Sequence, residues 1–130
     1  MSWKLPILLL LLPLALVAAE QPAQFNADSD GKTITLKVGD FFDITLPENA
    51  STGYSWEAIG GLGGVVEQLG KPDFHSNSSN KNLVGAGGTA TYHFKAAGLG
   101  TTALKLVYHR SWEKDKQPAK TFQVTVVVSS

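Results

Sequence analysis

Residues 89–109 read TATYHFKAAGLGTTALKLVYH, and the fold turns on this stretch. Tyr92 and Phe94 share one face of its first half, and Leu104, Leu106 and Tyr108 share one face of its second. A period of two sends successive side chains to opposite faces of an extended chain, so each half is a half-buried strand. Gly98 and Gly100 mark the reversal between them. As an up-and-down pair, the strands at 89–96 and 101–109 lie side by side and run in opposite directions.

The same period extends outward from this pair. Toward the C-terminus, Phe122, Val124, Val126 and Val128 point inward, with Thr121, Gln123 and Thr125 outward. Toward the N-terminus, Ile34, Leu36 and Val38 alternate with Thr33, Thr35 and Lys37, and Gly39-Asp40 is a turn. Phe42, Ile44 and Leu46 continue the alternation until Pro47 stops it, and Tyr54 and Trp56 form a short third strand in which Trp56 reads as core. Gly60 to Gly64 predicts a loop, Val65 to Leu69 a strand, Lys71-Pro72 a break, and Ser76 to Asn82 an exposed, mobile loop. No window carries a helical stripe. Seven or eight short strands joined by turns describe an all-β antiparallel sandwich over residues 32–130, preceded by a polar lead-in at 20–31.

Residues 1–19 stand apart from this pattern. Lys4 is followed by the apolar run Leu5 to Leu16 and then by the small residues Val17-Ala18-Ala19. That order predicts a signal peptide cleaved between Ala19 and Glu20, and hence an exported protein, periplasmic or secreted. The run is shorter than the ~20 residues a spanning helix needs, and Pro6 and Pro13 interrupt it, so no membrane association is expected after cleavage. Removing nineteen residues from 130 leaves a mature chain of about 111, enough for one domain with one core.

Charge and composition exclude several function classes. Ten basic residues remain against eleven acidic ones with no concentrated positive run, so no nucleic-acid partner is implied. Cysteine is absent, which rules out disulfides, a thiol nucleophile and a thiolate metal site. His93 and His109, flanking the Gly98–Gly100 reversal, can meet across a sheet, yet no third ligand has suitable spacing, so no metal site is expected. No Gly-X-Ser-X-Gly elbow, phosphate-cradling loop or zinc helix occurs, and the sequence suggests neither catalytic residues nor a cofactor.

Three segments carry more glycine or larger exposed rings than turn geometry requires: Asn49-Ala50-Ser51-Thr52-Gly53-Tyr54-Ser55-Trp56, Gly85-Ala86-Gly87-Gly88 and Arg110-Ser111-Trp112. Strand parity gathers them. The second opens the strand at 89–96, and the third follows the strand that runs back, so Gly88 and Arg110 share an end of the sandwich. One returning strand near 65–76 brings Asn49–Gly53 to that end as well.

These segments resemble, in order and spacing, the signature loops of the chagasin-like inhibitors of papain-family proteases: Asn-Pro-Thr-Thr-Gly followed by an aromatic, Gly-X-Gly-Gly, and Arg-Pro-Trp. Ala50 and Ser111 stand where the family often has proline, a loss of loop restraint in the free state. The resemblance implies an immunoglobulin-like sandwich, a papain-like cysteine protease as partner, and a monomer that presents one loop end as a wedge. By position, Thr52 approaches the catalytic cysteine with Asn49, Ser51, Gly53 and Tyr54 around it. Gly85, Gly87 and Gly88 run along one cleft wall, and Trp112 packs on the other while Arg110 stacks or pairs with an acidic group. The competing reading is an immunoglobulin-like adhesion or carbohydrate-binding module, which shares the fold but binds through a sheet face or an aromatic platform. Asn49-Ala50-Ser51 and Asn77-Ser78-Ser79 are glycosylation sequons. A glycan on Asn49 would obstruct the wedge, which favours synthesis where this modification is absent, as in a bacterial periplasm.

Overall fold

A computed structural model describes residues 21–77 and 87–130. The proposed signal peptide, Gly85, and most of the loop expected at 76–82 lie outside the described residues.

Among the described residues, nine strands form two sheets. They are β1 (Ala23–Asn26), β2 (Thr33–Lys37), β3 (Phe41–Glu48), β4 (Ser55–Gly60), β5 (Val66–Gln68), β6 (Asp73–Ser76), β7 (Gly88–Ala96), β8 (Gly100–His109) and β9 (Lys120–Ser129). One sheet runs β1-β3-β7-β5, with β6 also paired to β7, and the other runs β2-β9-β8-β4. Every pairing is antiparallel except β1 with β3 and β2 with β9. The inward faces are those the alternation predicts. Phe42, Ile44, Leu46, Tyr92 and Phe94 of one sheet enclose a single core with Leu104, Leu106, Phe122, Val124 and Val126 of the other. Phe42 and Phe94 stack at 5.3 Å between ring centroids, and Trp56 is buried as expected.

Four expectations are corrected. The 89–96 and 101–109 strands are not neighbours, because β7 and β8 belong to opposite sheets. The link between them crosses the layers, with the Ala97 and Gly98 N–H groups donating to the Val65 carbonyl at 2.8 and 3.3 Å. Alternation reports which face is buried, and a face buried against the same core is equally compatible with either sheet. His93 and His109 therefore do not meet. His93 lies between Asp43 and Asp73, and His109 pairs with Glu57.

Second, the lead-in contains a strand: β1 pairs parallel to β3 and brings Phe25 within 6.2 Å of Phe42. Third, Pro47 does not end β3, which stays paired through Glu48↔Gly88. β1 ends opposite Thr45, so Pro47 has one neighbour where residues before it have two, a place where a missing N–H is tolerated. Fourth, Val38 is exposed, because β2 stops at Lys37 and Val38 enters the turn.

The return over 65–76 is made by two strands, β5 and β6, each antiparallel to β7. Both run toward the end where β7 begins, so the parity count is right even though the segment is broken at Gly70 to Pro72.

Candidate functional site

The register fixes where the three unusual segments lie. Glu48, at the end of β3, pairs with Gly88 at the start of β7. Ser55, at the start of β4, pairs with His109 at the end of β8. The first segment therefore bridges the two sheets at the end where the described part of the second segment and the third also emerge.

The first segment is a built turn. Ala50–Thr52 forms one turn of 3-10 helix, with the Thr52 N–H donating to the Asn49 carbonyl at 3.2 Å and the Gly53 N–H to Ala50 at 3.2 Å. The Thr52 hydroxyl also donates to the Asn49 carbonyl, at 2.7 Å, and accepts from the Tyr54 N–H at 3.3 Å. The Ser51 hydroxyl donates to Asn49 Oδ1 at 2.8 Å. Gly53 closes the turn at φ +80°, a left-handed conformation that costs a residue with a Cβ about 1–2 kcal/mol. Neither hydroxyl is paired with a histidine, so the tip has the bonding of a rigid turn and not that of an activated nucleophile.

The third segment is locked onto the first. Arg110 Nε donates to the Thr52 carbonyl at 3.0 Å, and the guanidinium lies 4.5 Å from the centroid of the Tyr54 ring. Its Nη1 donates to Glu113 at 3.2 Å, and Glu113 in turn takes Lys116 at 2.7 Å. Lys116 first and Arg110 second hold the Glu113 carboxyl below its ordinary range. The Trp112 ring lies against Gly53, so closely that a Cβ there would fall 2.4 Å from Cη2. The ring is nonetheless 67% exposed. An aromatic face of that size supported from one side and open on the other is suited to contact with a partner.

Beneath the turn lies a satisfied polar base. The buried Glu48 carboxylate accepts the Tyr92 hydroxyl at 2.6 Å and the Trp56 N–H at 3.1 Å, and Trp56 Nε1 donates to the Pro47 carbonyl at 2.9 Å. Burial, reinforced by Glu48, pushes the Tyr92 hydroxyl far above its usual range, so it stays protonated and a donor. Tyr108 stacks on Tyr54 at 5.3 Å and lies tilted against Trp56 at 5.0 Å, and its hydroxyl accepts the Asn49 N–H at 2.9 Å. Tyr54 thus belongs mainly to the support of the tip.

The second segment is held differently. Gly88 packs so closely on β6 that a Cβ would lie 2.2 Å from the His75 carbonyl oxygen. The Asn77 N–H donates to the Gly87 carbonyl at 2.9 Å. Glu48, Asn49, Asn77, Gly87 and Gly88 border a shallow cleft between this segment and the first.

Asn49, Ser51, Thr52, Gly53, Tyr54, Gly87, Gly88, Arg110 and Trp112 therefore share one end of the sandwich. The sequence reading missed Glu113, Glu48 and the second role of Tyr108. Glu113 follows Arg110 by three residues, a spacing that suggests an ion pair. Glu48 continues the inward parity of Ile44 and Leu46. No group of three or more metal-ligating side chains occurs among the described residues.

Comparison with known proteins finds relatives of the chain as a whole. The sequence pattern of the chagasin family of peptidase inhibitors matches residues 35–126. Chagasin of Trypanosoma cruzi is 32% identical over 99 residues, covering 73% of this chain and 87% of that one. Amoebiasin-1 of Entamoeba histolytica is 34% identical over 105 residues, covering 78% and 94%. The crystal structure of a cysteine protease inhibitor from Entamoeba histolytica has a TM-score of 0.70 at 27% identity, over 82% of this chain and 95% of that one.

Proposed function

Because the chain belongs to the chagasin family of peptidase inhibitors, we propose that it is a reversible, tight-binding inhibitor of papain-like cysteine endopeptidases that occludes the active-site cleft with its three loops. The cysteine-protease inhibitor among the solved structures supports the thiol class of target. The observation that carries the reading is the braced Ala50–Gly53 turn beside a Trp112 ring left open to solvent at the same end.

A cleft-filling loop must be narrow, polar at its tip and already in its bound shape, because ordering a loop on binding subtracts from affinity. Ser51, Thr52 and Gly53 supply the narrow tip, and the hydrogen bonds within the turn supply the shape. They offset the restraint lost where Ala50 and Ser111 replace proline. Thr52 approaches the catalytic cysteine of the target, and Asn49, Ser51 and Gly53 flank it. Gly85, Gly87 and Gly88 follow one wall, Gly85 and Gly87 through main-chain pairing, while the main chain of Gly88 is already paired with Glu48 and Ser76 and seats the segment. Trp112 covers the opposite wall as the dominant apolar contact, a residue type enriched at binding hot spots. Export through residues 1–19 would bring the mature domain to an extracellular or periplasmic protease.

Titration of papain with purified protein is expected to abolish activity at one-to-one stoichiometry. Thr52→Trp should weaken inhibition by at least about 100-fold, the ~3 kcal/mol that a central interface position carries, with the fold kept and the thermal midpoint lowered only by the loss of two exposed hydrogen bonds within the turn. Undiminished potency of Thr52→Trp would refute insertion of the first loop. Full papain activity in excess wild-type protein would refute inhibition itself.

A further inference from the structure

We infer that Arg110 protects the inhibitor from its own target, by keeping the Thr52–Gly53 peptide bond out of attack geometry. The inference rests on the loop-insertion reading proposed above. A peptide carried to a catalytic thiolate is a potential substrate. For cleavage the sulfur adds to the carbonyl carbon while the oxygen turns into the enzyme's own hydrogen-bond donors. The carbon–nitrogen bond then breaks and the amine takes up a proton. Water finally hydrolyses the thioester, releasing a carboxylate and restoring the thiolate. At Thr52–Gly53 the carbonyl oxygen and the amide nitrogen are the two atoms that must change partners.

Both are already committed within the inhibitor. The Thr52 carbonyl accepts Arg110 Nε at 3.0 Å, and the Gly53 N–H donates to the Ala50 carbonyl at 3.2 Å. Gly53 is left-handed at φ +80°, whereas a substrate strand in such a cleft is extended. Arg110 sits on the neighbouring loop, so it draws the oxygen toward the body of the inhibitor. A donor also polarises a carbonyl, which by itself favours attack. Here the donor is fixed where it opposes the rotation that attack requires. The Tyr54 ring lies 4.5 Å below the guanidinium, and Glu113 takes Nη1 at 3.2 Å and is itself tethered by Lys116 at 2.7 Å. Arg110 is thus a positioning residue for the first loop, and Glu113 positions Arg110.

The test is incubation of each inhibitor with an equimolar amount of papain, followed by intact-mass spectrometry and recovery of protease activity over hours. Wild-type chain is expected to stay whole. Arg110→Met retains most of the stem packing but has no donor. It should still inhibit at first, more weakly than wild type, and then be cut between Thr52 and Gly53 at least about 100-fold faster than wild type, the low end of what one hydrogen bond at a reacting carbonyl contributes. Papain activity should return at the same rate. Glu113→Gln, which leaves Arg110 in place with a weaker tether, should be cut at an intermediate rate, and Arg110→Lys should rescue partly. An Arg110→Met chain that stays whole, whether or not it binds more weakly, overturns the inference while the inhibitory reading stands. If Arg110→Met fails to fold, an uncut Glu113→Gln overturns it equally. Wild-type protein that leaves papain active defeats the parent reading, and this one with it.

Discussion

The first and second loops meet at one end of the sandwich but are held by different means. The first is held by side chains: two hydroxyls close it internally, Arg110 and Trp112 grip it from the third loop, and Tyr54 rests on Tyr108. The second is held by backbone, through the pairing of Gly88 with Glu48 on one side and with Ser76 on the other. Side-chain bracing can be removed one contact at a time. A loop held by strand pairing depends on how closely two backbones approach, so it tolerates a change at one position and fails at the next.

The largest effect should come from the base the two loops share. Glu48 ends β3, faces Gly88 and accepts from both Tyr92 and Trp56. Glu48→Ala leaves buried donors without their acceptor and opens a void, for an expected loss of about 2–4 kcal/mol. Urea unfolding should show it. Glu48→Gln keeps an acceptor and should lose roughly half as much. Equal stability of wild type and Glu48→Ala would mean that this base is not what anchors the loops.

Next comes the backbone-held loop. Gly88→Ala places a Cβ 2.2 Å from the His75 carbonyl, and a backbone atom cannot move aside as a side chain can. β6 must separate from β7, at an expected cost of about 1–3 kcal/mol. At Gly87 an added Cβ would meet nothing within 4 Å, so Gly87→Ala should be silent in unfolding, within about 0.5 kcal/mol. The pair separates close approach from mere glycine content.

The side-chain-held loop should respond in the opposite manner, with little lost in stability and much in binding. Gly53→Ala meets the far end of the exposed Trp112 ring, which can swing away, so the cost is chiefly that of a left-handed alanine, about 1 kcal/mol. With Trp112 displaced, inhibition of papain should weaken far more than stability falls. Proportional losses in the two assays would show that the ring only packs on the turn.

The two kinds of support also differ in how far the sequence reveals them. Inward faces were legible where alternating positions stay inside one strand, as at Phe42–Leu46 and Phe122–Val128, and failed at Val38, where the alternation runs on past the end of β2. Strand partners were not, since β7 and β8 satisfy the same pattern whether they pair or face each other across the core. β1 and β6 escaped because each is four residues long. Only Ala23 and Phe25 are apolar and half-buried in the first, too few to show a period, and all of the second is exposed. Their pairing is carried by backbone groups, which leave no mark on side-chain type. The loop motifs were legible by type and spacing, and parity brought them to one end. The contact of Gly53 with Trp112 and the bond from Arg110 to Thr52 join residues almost sixty positions apart, and no local pattern encodes such a meeting.

The smallest predicted effect concerns β6, the strand that delivers the second loop, and it is set by pH. Asp43 on β3, itself bonded to Gln24 of β1, and Asp73 on β6 engage opposite nitrogens of the His93 ring on β7, each at 2.8 Å. Beyond them, Lys95 on the same strand lies opposite Glu67 of β5. The bond to Asp43, supported by Asp73 and opposed by partial burial, raises the His93 pKa above its ordinary 6.5. A pKa raised by folding means that the folded state binds the proton more tightly than the unfolded chain does. The stabilisation is therefore complete below about pH 6.5 and fades as pH climbs through the raised value. The thermal midpoint should accordingly fall between pH 6 and pH 8, by an amount equivalent to less than about 1 kcal/mol because the site is partly open to solvent. His93→Gln should remove most of that dependence and leave wild type and variant closest at the alkaline end. Amide exchange in β6 should quicken over the same pH interval, beyond the intrinsic rise, while the side-chain-braced turn at Ala50–Gly53 shows no such excess. A midpoint that rises with pH, or a His93→Gln profile parallel to wild type, would remove His93 from the account of how the second loop is held.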